Sequence, residues 1–250
     1  MQVPIITYHS IDDSGSVIST TLEMFRRQMK QLSEAGFEAL TLSELVSGIK
    51  GTSDLPGKPV VLTFDDGFRN FKTEAFPVLN EYDFKATVFI VTDFCGGHND
   101  WSGNPDDFPR TELLSWDEIC ELDGRGIEFG SHTRTHQDLT KLNASEVKTE
   151  IVGSKKAISD KLGREAKTFA YPFGHGSVAV RRVAKDNFDA ACSTKLGKVR
   201  ANSDIIFLKR IDAYYLKNHR LMEMLSSAAF DNYMRFRQAA RNVKTFLGRG

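Results

Sequence analysis

The sequence predicts a single α/β domain in which parallel strands form a barrel or a partly open barrel. Apolar, β-branched runs of strand length alternate with amphipathic stretches along the whole chain, in about seven strand–helix units. The run at residues 60–64 is almost continuously apolar, which is typical of a strand buried on both faces. Strands that alternate with helices are joined by crossover connections and therefore lie parallel. A chain of 250 residues has room for such a barrel in one domain.

The first elements are predicted from the spacing of apolar residues and from residues that favour helix ends. Residues 3–7 form an apolar run of strand length, and residues 22–35 repeat apolar side chains at the spacing of one helix face. Gly36 follows where a C-cap glycine belongs, because glycine adopts the left-handed conformation at little cost. Ser43 is in position to cap a short helix that continues through residues 45–49.

The same alternation continues to residue 208 and supplies the rest of the predicted barrel. Each further strand is short and rich in apolar residues, and a helical pattern separates most of them. We find no sequence repeat, so we expect one domain over residues 1–250. The further strands are expected at residues 86–91, 127–129, 168–171, 190–193 and 207–208, and the helices at residues 70–80, 115–123, 144–162 and 178–186.

Composition excludes several classes of protein. The chain has 33 Lys+Arg against 33 Asp+Glu and is 40% hydrophobic, whereas disordered chains combine low hydrophobicity with high net charge. The balanced charge argues against nucleic acid as the main partner, because phosphate binding normally leaves a basic excess. No apolar run approaches the ~18 residues that a membrane span needs.

The cysteines and the start of the chain favour a cytoplasmic location. Cys95, Cys120 and Cys192 are odd in number and far apart, which suits reduced thiols better than a disulfide framework. The first residues lack the basic segment and the apolar length of a signal peptide, and only a chain trimmed of its leader would look the same. We therefore expect a cytoplasmic protein.

Two segments interrupt the alternation of strands and helices. Residues 93–110 form a long loop rich in Gly, Asn, Asp and Pro that carries Trp101, and long loops in compact domains tend to be functional rather than tolerated insertions. Residues 231–250 hold five Lys/Arg against one Asp, with an apolar stripe. We expect this basic tail to be a helix packed on the domain, and the alternative is a helix at a membrane surface. The stripe consists of Tyr233, Phe236, Ala240, Val243 and Leu247.

Two carboxylates end the strand that is predicted to be fully buried. Asp65 and Asp66 follow residues 60–64 directly, and Gly67 comes next. Burial of unpaired carboxylates is costly, so these two must meet a metal, a cation or water at the end of the strand. In barrels this end of the strands carries the active site, although Asp-Asp-Gly is also a common turn sequence.

A pair of histidines follows another predicted strand end. His132 and His136 are spaced i, i+4, which on one face of a helical turn lets them share a metal ion. Two histidines and one carboxylate are a known ligand set of catalytic zinc, although the HxxxH spacing also arises by chance. A third segment, residues 171–174, ends an aromatic strand with Pro and Gly and by itself indicates only a turn.

Taken in this order, the Asp65-Asp66 segment, the HxxxH segment and the Tyr-Pro-Phe-Gly turn resemble the NodB-homology polysaccharide deacetylases, the family 4 carbohydrate esterases. The resemblance extends from about residue 3 to residue 208, and the opening around Tyr8 and His9 is similar to the branch with biofilm and exopolysaccharide deacetylases. It implies a distorted (β/α) barrel, a divalent metal that is usually zinc, and removal of acetyl groups from N-acetylated sugars.

The resemblance also implies roles for individual residues. Asp66, His132 and His136 would be the metal ligands, and Asp65 would be the general base for the attacking water. This division is chemically consistent, because a metal ion lowers the pKa of water into a range where a neighbouring carboxylate can accept the proton.

Five further residues are assigned by the same resemblance or by their place beside it. The backbone N–H of Phe173 would stabilise the oxyanion, and Thr133 would hydrogen-bond locally to hold the histidine segment. Tyr171, Pro172, Phe173 and Trp101 would line a shallow substrate groove, because aromatic faces suit the apolar faces of sugar rings.

The sequence departs from the family pattern at two points. Typical members hold the base aspartate with an arginine in the third motif, where this chain has Ala170. Arg210, near a late strand end, is our candidate for the same task, and the alternative is a surface arginine. Typical members also carry a late histidine that protonates the leaving amine. His9, at the end of the first strand, is our candidate replacement, and the alternative is a histidine satisfied by backbone in the core.

We therefore expect a metal-dependent deacetylase of an N-acetylated carbohydrate. A cytoplasmic enzyme would act on a linked sugar precursor rather than on a finished polymer. Two alternatives follow from the departures: a sugar-binding descendant with little or no activity, and a hydrolase of a non-sugar amide or cyclic imide. Zinc is the expected cofactor in the first case.

Overall fold

Seven parallel strands close into a barrel in the computed structural model, which describes residues 2–246. Around the ring they follow the order β2, β12, β10, β9, β8, β7 and β6, and pairing of β2 with β6 closes it. The predicted fold class is therefore confirmed. The strands are β1 (Gln2–Val3), β2 (Ile5–Tyr8), β3 (Ser10–Ile11), β4 (Ser19–Thr20), β5 (Glu38–Leu40), β6 (Pro59–Phe64), β7 (Ala86–Ile90), β8 (Ile127–Ser131), β9 (Thr168–Ala170), β10 (Ala190–Leu196), β11 (Val199–Arg200) and β12 (Leu208–Asp212).

Helices connect the barrel strands and cover their outer faces. Most of the predicted helices agree with the structure to within a residue or two, and a short π-helical segment, Phe71–Ala75, begins the helix expected at residues 70–80. The helices are α1 (Leu22–Glu34), α2 (Leu42–Ile49), α3 (Phe76–Glu81), α4 (Trp116–Leu122), α5 (Ala144–Leu162), α6 (Val178–Asn187), α7 (His219–Glu223) and α8 (Ala228–Phe246).

The ends of the first two helices test two of the predicted caps. Gly36 follows α1 with a φ of 75°, as expected for a glycine that ends a helix. The prediction that Ser43 caps α2 is wrong, because Thr41 accepts a hydrogen bond from the Glu44 backbone N–H in a capping box. Ser43 lies inside the helix, and its hydroxyl donates to the buried carboxylate of Glu128.

Helix α2 closes the lower end of the barrel. Leu42, Leu45 and Val46 belong to an apolar cluster with inward-facing strand residues such as Phe89 and Leu208. The backbone N–H of Leu42 donates to Thr87 on β7, which fixes the start of the helix against the sheet. The short strand β5, which the sequence did not predict, pairs with the first half of β6 and leads into this helix.

Strand residues alternate between this inner cluster and a larger outer core. Val61 lies in the inner cluster, whereas its neighbours Val60 and Leu62 pack in the outer core beneath the helices. Because side chains of a strand alternate between its faces, the inward line of β6 continues from Val61 through Thr63 to Asp65. The same alternation on β12 places Arg210 on the inward line that begins with Leu208.

Helix α8 packs on β10 through a different face from the one predicted. Phe230 and Met234 are buried, and the Gln238 side chain accepts a hydrogen bond from the Leu196 backbone N–H. Phe236 and Val243 of the predicted stripe are 70% and 59% exposed, so that stripe is not the packed face. The predicted stripe also named Leu247, which lies outside the described residues, as does the rest of residues 247–250.

Two smaller findings concern membranes and thiols. Within residues 2–246, none of the helices combines the length and the apolar character needed to cross a membrane. Cys95, Cys120 and Cys192 are free thiols, in agreement with the expected absence of a disulfide framework. Burial raises the pKa of the Cys192 thiol to about 12, so this side chain is an inert part of the inner cluster.

Candidate active site

The two carboxylates of the first motif lie at the upper end of the barrel. Asp65 and Asp66 follow β6 directly and are only 3% and 5% exposed. The Asp65 backbone N–H donates to the Tyr8 carbonyl at 3.0 Å and extends the pairing of β6 with β2 by one residue. Asp66 and Gly67 then adopt positive φ values of 73° and 75°, which turn the chain sharply away from the strand. Adjacent residues therefore direct their carboxylates to different partners.

Asp65 is paired with Arg210 inside the barrel. The guanidinium donates to both carboxylate oxygens, at 2.7 Å and 2.6 Å, and its Nε donates to the Ser193 carbonyl at 3.0 Å. Arg210 is 2% exposed, so the alternative that it is a surface arginine is wrong. Burial alone would raise the pKa of Asp65, but the charge and hydrogen bonds of Arg210 outweigh burial and hold this pKa below its ordinary value.

Ala170 occupies the position where the resemblance predicts an arginine, and it contributes through its backbone carbonyl. Ala170 is buried in the inner cluster at the end of β9. Its carbonyl accepts a hydrogen bond at 2.8 Å from Nδ1 of His132, and because a carbonyl cannot donate, the proton must be on Nδ1. The Nε2 atom of His132 is then free to act as a ligand, which is how backbone carbonyls orient metal-binding histidines in general.

Asp66, His132 and His136 form a buried cluster. One ligand atom from each lies within 4.8 Å of the others. The Nε2 atoms of His132 and His136 are 3.4 Å and 3.3 Å from the same Asp66 oxygen, Oδ1. The two imidazoles together outweigh burial and hold the pKa of Asp66 well below its ordinary value. Burial lowers the pKa of His136, whereas Asp66 and Asp65 outweigh burial and raise the pKa of His132. A bound cation would require both imidazoles to be neutral.

Two observations fit a divalent cation among these three side chains. Asp66 Oδ1 is buried and makes no hydrogen bond, although two imidazole nitrogens face it. A buried acceptor without a partner is costly and calls for an explanation such as an ion. Two imidazole nitrogens and one carboxylate oxygen are a donor set that suits zinc. Asp66, His132 and His136 can therefore hold a divalent cation.

The histidine pair does not lie on a helical turn, so that expectation was wrong. Thr133 and His136 both have positive φ values, 68° and 59°, and the segment is a folded loop after β8. The Thr133 hydroxyl accepts a hydrogen bond from the His136 backbone N–H at 3.0 Å. The Thr133 carbonyl accepts another from the Thr92 N–H at 3.2 Å. Thr133 thus fixes the loop at both ends, which is the local contact expected of it.

His9 lies at the same end of the barrel. Its Nε2 is 3.9 Å from Oδ2 of Asp65, and its side chain is 21% exposed. The ring is therefore neither fully buried nor free on the surface. This position lets it contact both the carboxylate and a molecule that enters from solvent.

A groove with a cavity volume of about 700 Å³ begins beside His136. Trp101, from the long loop, packs its ring 5.0 Å from the His136 ring, and the Phe173 ring lies 4.9 Å from His136 on another side. Phe173 has a φ of 57°, so the turn that carries it is as sharp as the Asp66 turn. Trp101 is anchored in a small apolar cluster with Phe108 of the same loop and with Phe68, Val91 and Leu113 outside it, so this part of the loop forms a packed wall of the groove.

Two residues predicted to line the groove are buried elsewhere. Tyr171 is fully buried, and its hydroxyl donates to the Ile206 carbonyl at 2.9 Å. Pro172 is buried as well. The reason is strand alternation: Ala170 faces the inner cluster, so Tyr171 faces the outer core between β9 and α6. Of the four predicted groove residues, the structure places Trp101 and Phe173 in the groove.

The structure also reveals a carboxylate that the sequence analysis missed. Glu150, on α5, is 5% exposed and accepts hydrogen bonds from the backbone N–H groups of Arg134 and Thr135, both at 2.9 Å. It also accepts from the Thr135 hydroxyl at 2.8 Å. Arg134 and Thr135 lie between the two cluster histidines, so Glu150 fixes the backbone that separates His132 from His136.

Replacing Glu150 by leucine should lower the affinity of the cluster for Zn²⁺ by about tenfold or more, as is usual when a group that orients metal ligands is changed. Leucine has no atom that can accept hydrogen bonds from the backbone N–H groups of Arg134 and Thr135. Affinity is measured by competition with a chromophoric chelator. Asp160→Asn, which neutralises an exposed carboxylate on the same helix, is the control and should bind Zn²⁺ as the unchanged protein does. Equal affinities for all three proteins would contradict the role of Glu150.

Comparisons with known proteins agree with this geometry. A sequence profile described as polysaccharide deacetylase matches residues 52–187, more than half of the chain. YxkH of Bacillus subtilis, which is named as a polysaccharide deacetylase, is 26% identical over 234 residues, covering 93% of this chain and 76% of that protein. The poly-β-1,6-N-acetyl-D-glucosamine N-deacetylase of Staphylococcus aureus is 28% identical over 165 residues. That alignment covers 62% of this chain and 54% of the staphylococcal protein, so this chain spans about half of its length.

A solved structure is similar over most of its length. The Streptococcus pyogenes deacetylase PplD, in complex with acetate, superposes with a TM-score of 0.75 at 25% sequence identity. The superposition covers 85% of this chain and 92% of PplD. The similarity therefore includes the barrel and is not limited to one motif.

Proposed function

Because the chain belongs to the polysaccharide deacetylase family, we propose that it hydrolyses the N-acetyl groups of an N-acetylated hexosamine polysaccharide with the help of a divalent cation. The observation that carries this proposal is the buried cluster of Asp66, His132 and His136, with its unpartnered carboxylate oxygen, beside the Asp65–Arg210 pair. The name of the staphylococcal relative makes β-1,6-linked N-acetylglucosamine the first polymer to test.

A cation held at this site would act as the Lewis acid of the proposed reaction. A divalent ion held by Asp66, His132 and His136 would lower the pKa of water to about 7 and polarise the acetamide carbonyl. Zinc is our proposal for this ion, because the two imidazoles and the carboxylate match its preferred ligands. Ala170 and Thr133 orient the two histidines, and Glu150 fixes the backbone between them.

Asp65 takes the proton of the attacking water in the proposed mechanism. A carboxylate has about four lone-pair positions, and the two hydrogen bonds from Arg210 use one on each oxygen. One position on each oxygen therefore stays open to accept a proton. Arg210 keeps Asp65 ionised, so that it acts as a base rather than an acid, and fixes its direction in the barrel mouth.

Phe173 is assigned to the carbonyl oxygen of the amide that is cleaved, and His9 to its nitrogen. We assign the backbone N–H of Phe173 to the developing oxyanion, because it belongs to the sharp turn that borders the cluster. We assign His9 to the proton that the departing amine requires, because its ring is partly exposed and lies 3.9 Å from Asp65. The bond from carbonyl carbon to nitrogen then breaks to give acetate and a free amino sugar.

Acetate release tests the proposed function directly. The purified protein is incubated with oligomers of β-1,6- and β-1,4-linked N-acetylglucosamine, with added Zn²⁺ or with a chelator, and acetate is measured enzymatically. We expect acetate from at least one oligomer, its loss with the chelator, and its return when Zn²⁺ is restored. Folded, zinc-loaded protein that binds oligomers without releasing acetate would support a sugar-binding role instead. Hydrolysis of allantoin or cyclic imides without acetate release would support a non-sugar amidase.

Replacing His9 by glutamine should lower kcat by about 10²-fold or more, the usual contribution of a positioned acid. A reaction that needs a protonated group slows as the pH rises and that group loses its proton. The decline in rate at high pH should therefore be absent in the variant. Both quantities come from acetate release between pH 5 and 10. His98→Gln, in the long loop, is the control and should keep both. An unchanged profile in His9→Gln would remove His9 from the mechanism.

A further inference from the structure

A second cavity, of about 470 Å³, lies outside the barrel. Its walls come from β10, β11 and β12 with their connecting loops, from α6 and from α8, and it opens to solvent. Lys209 lines it, whereas the next residue, Arg210, faces into the barrel and pairs with Asp65. None of the residues proposed for catalysis contributes to its wall, so this basic cavity is separate from the groove beside His136.

The basic cavity concentrates positive charge in a chain that is neutral as a whole. Six Lys and Arg side chains line it against two carboxylates, an excess of four positive charges, whereas the formal net charge of the chain is +0. A concave surface with low-dielectric walls focuses the potential of such a group of charges. The six are Arg181, Lys195, Lys198, Arg200, Lys209 and Arg235.

The two carboxylates of the cavity are already in use. Asp231, on α8, pairs with Lys198 at 2.7 Å, and the Lys198 side chain is only 5% exposed. Asp204 pairs with Arg181. Among the described residues, no carboxylate pairs with the other four cations, which are Lys195, Arg200, Lys209 and Arg235. Within the described part of the chain, no paired carboxylate offsets the mutual repulsion of these four cations.

An aromatic ring orders part of the cavity wall. Phe207 holds the Arg181 guanidinium 4.5 Å and the Lys195 ammonium 5.1 Å from its ring centre. Such contacts stabilise a cation without neutralising it. The ring thus contacts two of the positive groups that line the cavity.

We propose that the basic cavity binds a phosphate-ester anion that carries two or more negative charges. A single carboxylate would balance only one of the four unpaired cations, whereas a diphosphate group would balance two or three. Lys and Arg are the residues that bind phosphate oxygens in proteins, and a volume of about 470 Å³ is in the range of small-molecule pockets. A soluble phosphate ester and the headgroup of a phosphorylated lipid share this chemistry.

Calorimetric titration with inorganic pyrophosphate at low salt tests the proposal without using enzymatic activity. We expect the unchanged protein to bind pyrophosphate more tightly than orthophosphate and to lose affinity as NaCl is raised. Lys195→Gln combined with Lys209→Gln should weaken pyrophosphate binding by about tenfold or more, since each charge-assisted hydrogen bond contributes appreciably. The control combines Lys148→Gln with Lys167→Gln, which removes two exposed cations outside the cavity.

Three results decide the question. Loss in the Lys195/Lys209 variant with full binding in the control supports the site. No binding by the unchanged protein, or equal loss in both double variants, overturns it. Sedimentation with vesicles of phosphatidylcholine, with and without phosphatidic acid, then separates the two sources. Sedimentation that needs phosphatidic acid and fails in the Lys195/Lys209 variant identifies a lipid headgroup, and pyrophosphate binding without sedimentation identifies a soluble ester.

Discussion

Replacing Asp65 by asparagine should lower kcat for acetate release by between about 10² and 10⁴, the range that a positioned general base contributes. Asparagine has nearly the same shape as aspartate but cannot take the proton of the attacking water. The three cluster ligands are unchanged, so Zn²⁺ binding should persist. The measurement is kcat at saturating Zn²⁺, together with Zn²⁺ affinity by chelator competition.

A matched control for this variant exists on the protein surface. Glu81 accepts two hydrogen bonds from Arg26, at 2.8 Å and 3.1 Å, and this ion pair is exposed and does not line the groove beside His136. Glu81→Gln should therefore leave kcat unchanged. If Asp65→Asn retained the kcat of the unchanged protein with Zn²⁺ bound, another group would have to be the base.

Replacing Arg210 by methionine should destabilise the fold by about 3–5 kcal/mol, the usual result of removing one partner of a buried ion pair. The remaining carboxylate of Asp65 would be buried without its counter-charge. Removing both charges, in Asp65→Asn with Arg210→Met, should restore part of the lost stability, because no unpaired charge remains. Urea denaturation of the two single variants and the double variant measures the coupling. Arg26→Met, which breaks the exposed Arg26–Glu81 pair, is the surface control and should change stability little.

The Arg210 variant should also change the response of the enzyme to pH. Arg210 holds the pKa of Asp65 below its ordinary value, so without it burial dominates and this pKa rises. Asp65 must be deprotonated to act as a base, and a higher pKa means that it becomes protonated at a higher pH. The loss of activity on the acid side should therefore begin at a higher pH in Arg210→Met. An identical acid side in both proteins would show that Arg210 does not control Asp65.

In the unchanged protein the same pair links stability to pH. Because the pKa of Asp65 is lower in the folded state than in the unfolded state, its pairing stabilises the fold fully above the ordinary aspartate pKa of about 3.9. That contribution is lost as the pH falls from there through the lower pKa of the folded state.

Most of the barrel could be predicted because its strands alternate with helices in the sequence. The ion pair between Asp65 and Arg210 could also be predicted, since a buried carboxylate needs a cation and both residues lie on inward-facing lines of their strands. Strand alternation would equally have placed Tyr171 in the outer core, one position after inward-facing Ala170. The aromatic character of the third motif was given more weight than this alternation, and the groove assignment of Tyr171 and Pro172 was wrong.

Other features depend on contacts that the sequence does not display. The spacing of His132 and His136 is compatible with a helical turn, but left-handed conformations at Thr133 and His136 bring the rings together in a loop. Helix α8 offers two apolar faces, and only the surface of β10 decides that Phe230 and Met234 are buried. Glu150 did leave a signal: it is a charged residue at a position of α5 between the buried residues Val147 and Ile151.

The closure of the barrel by α2 limits the directions from which molecules can reach the site. Below Asp65 the interior is filled by side chains such as Phe89, Cys192 and Leu208, and α2 closes the lower end. In the proposed reaction, water, polymer and both products would therefore enter and leave at the upper end of the barrel. Acetate and the amino sugar would then use the same opening, so that the order in which they leave would depend on the shape of the site as well as on affinity.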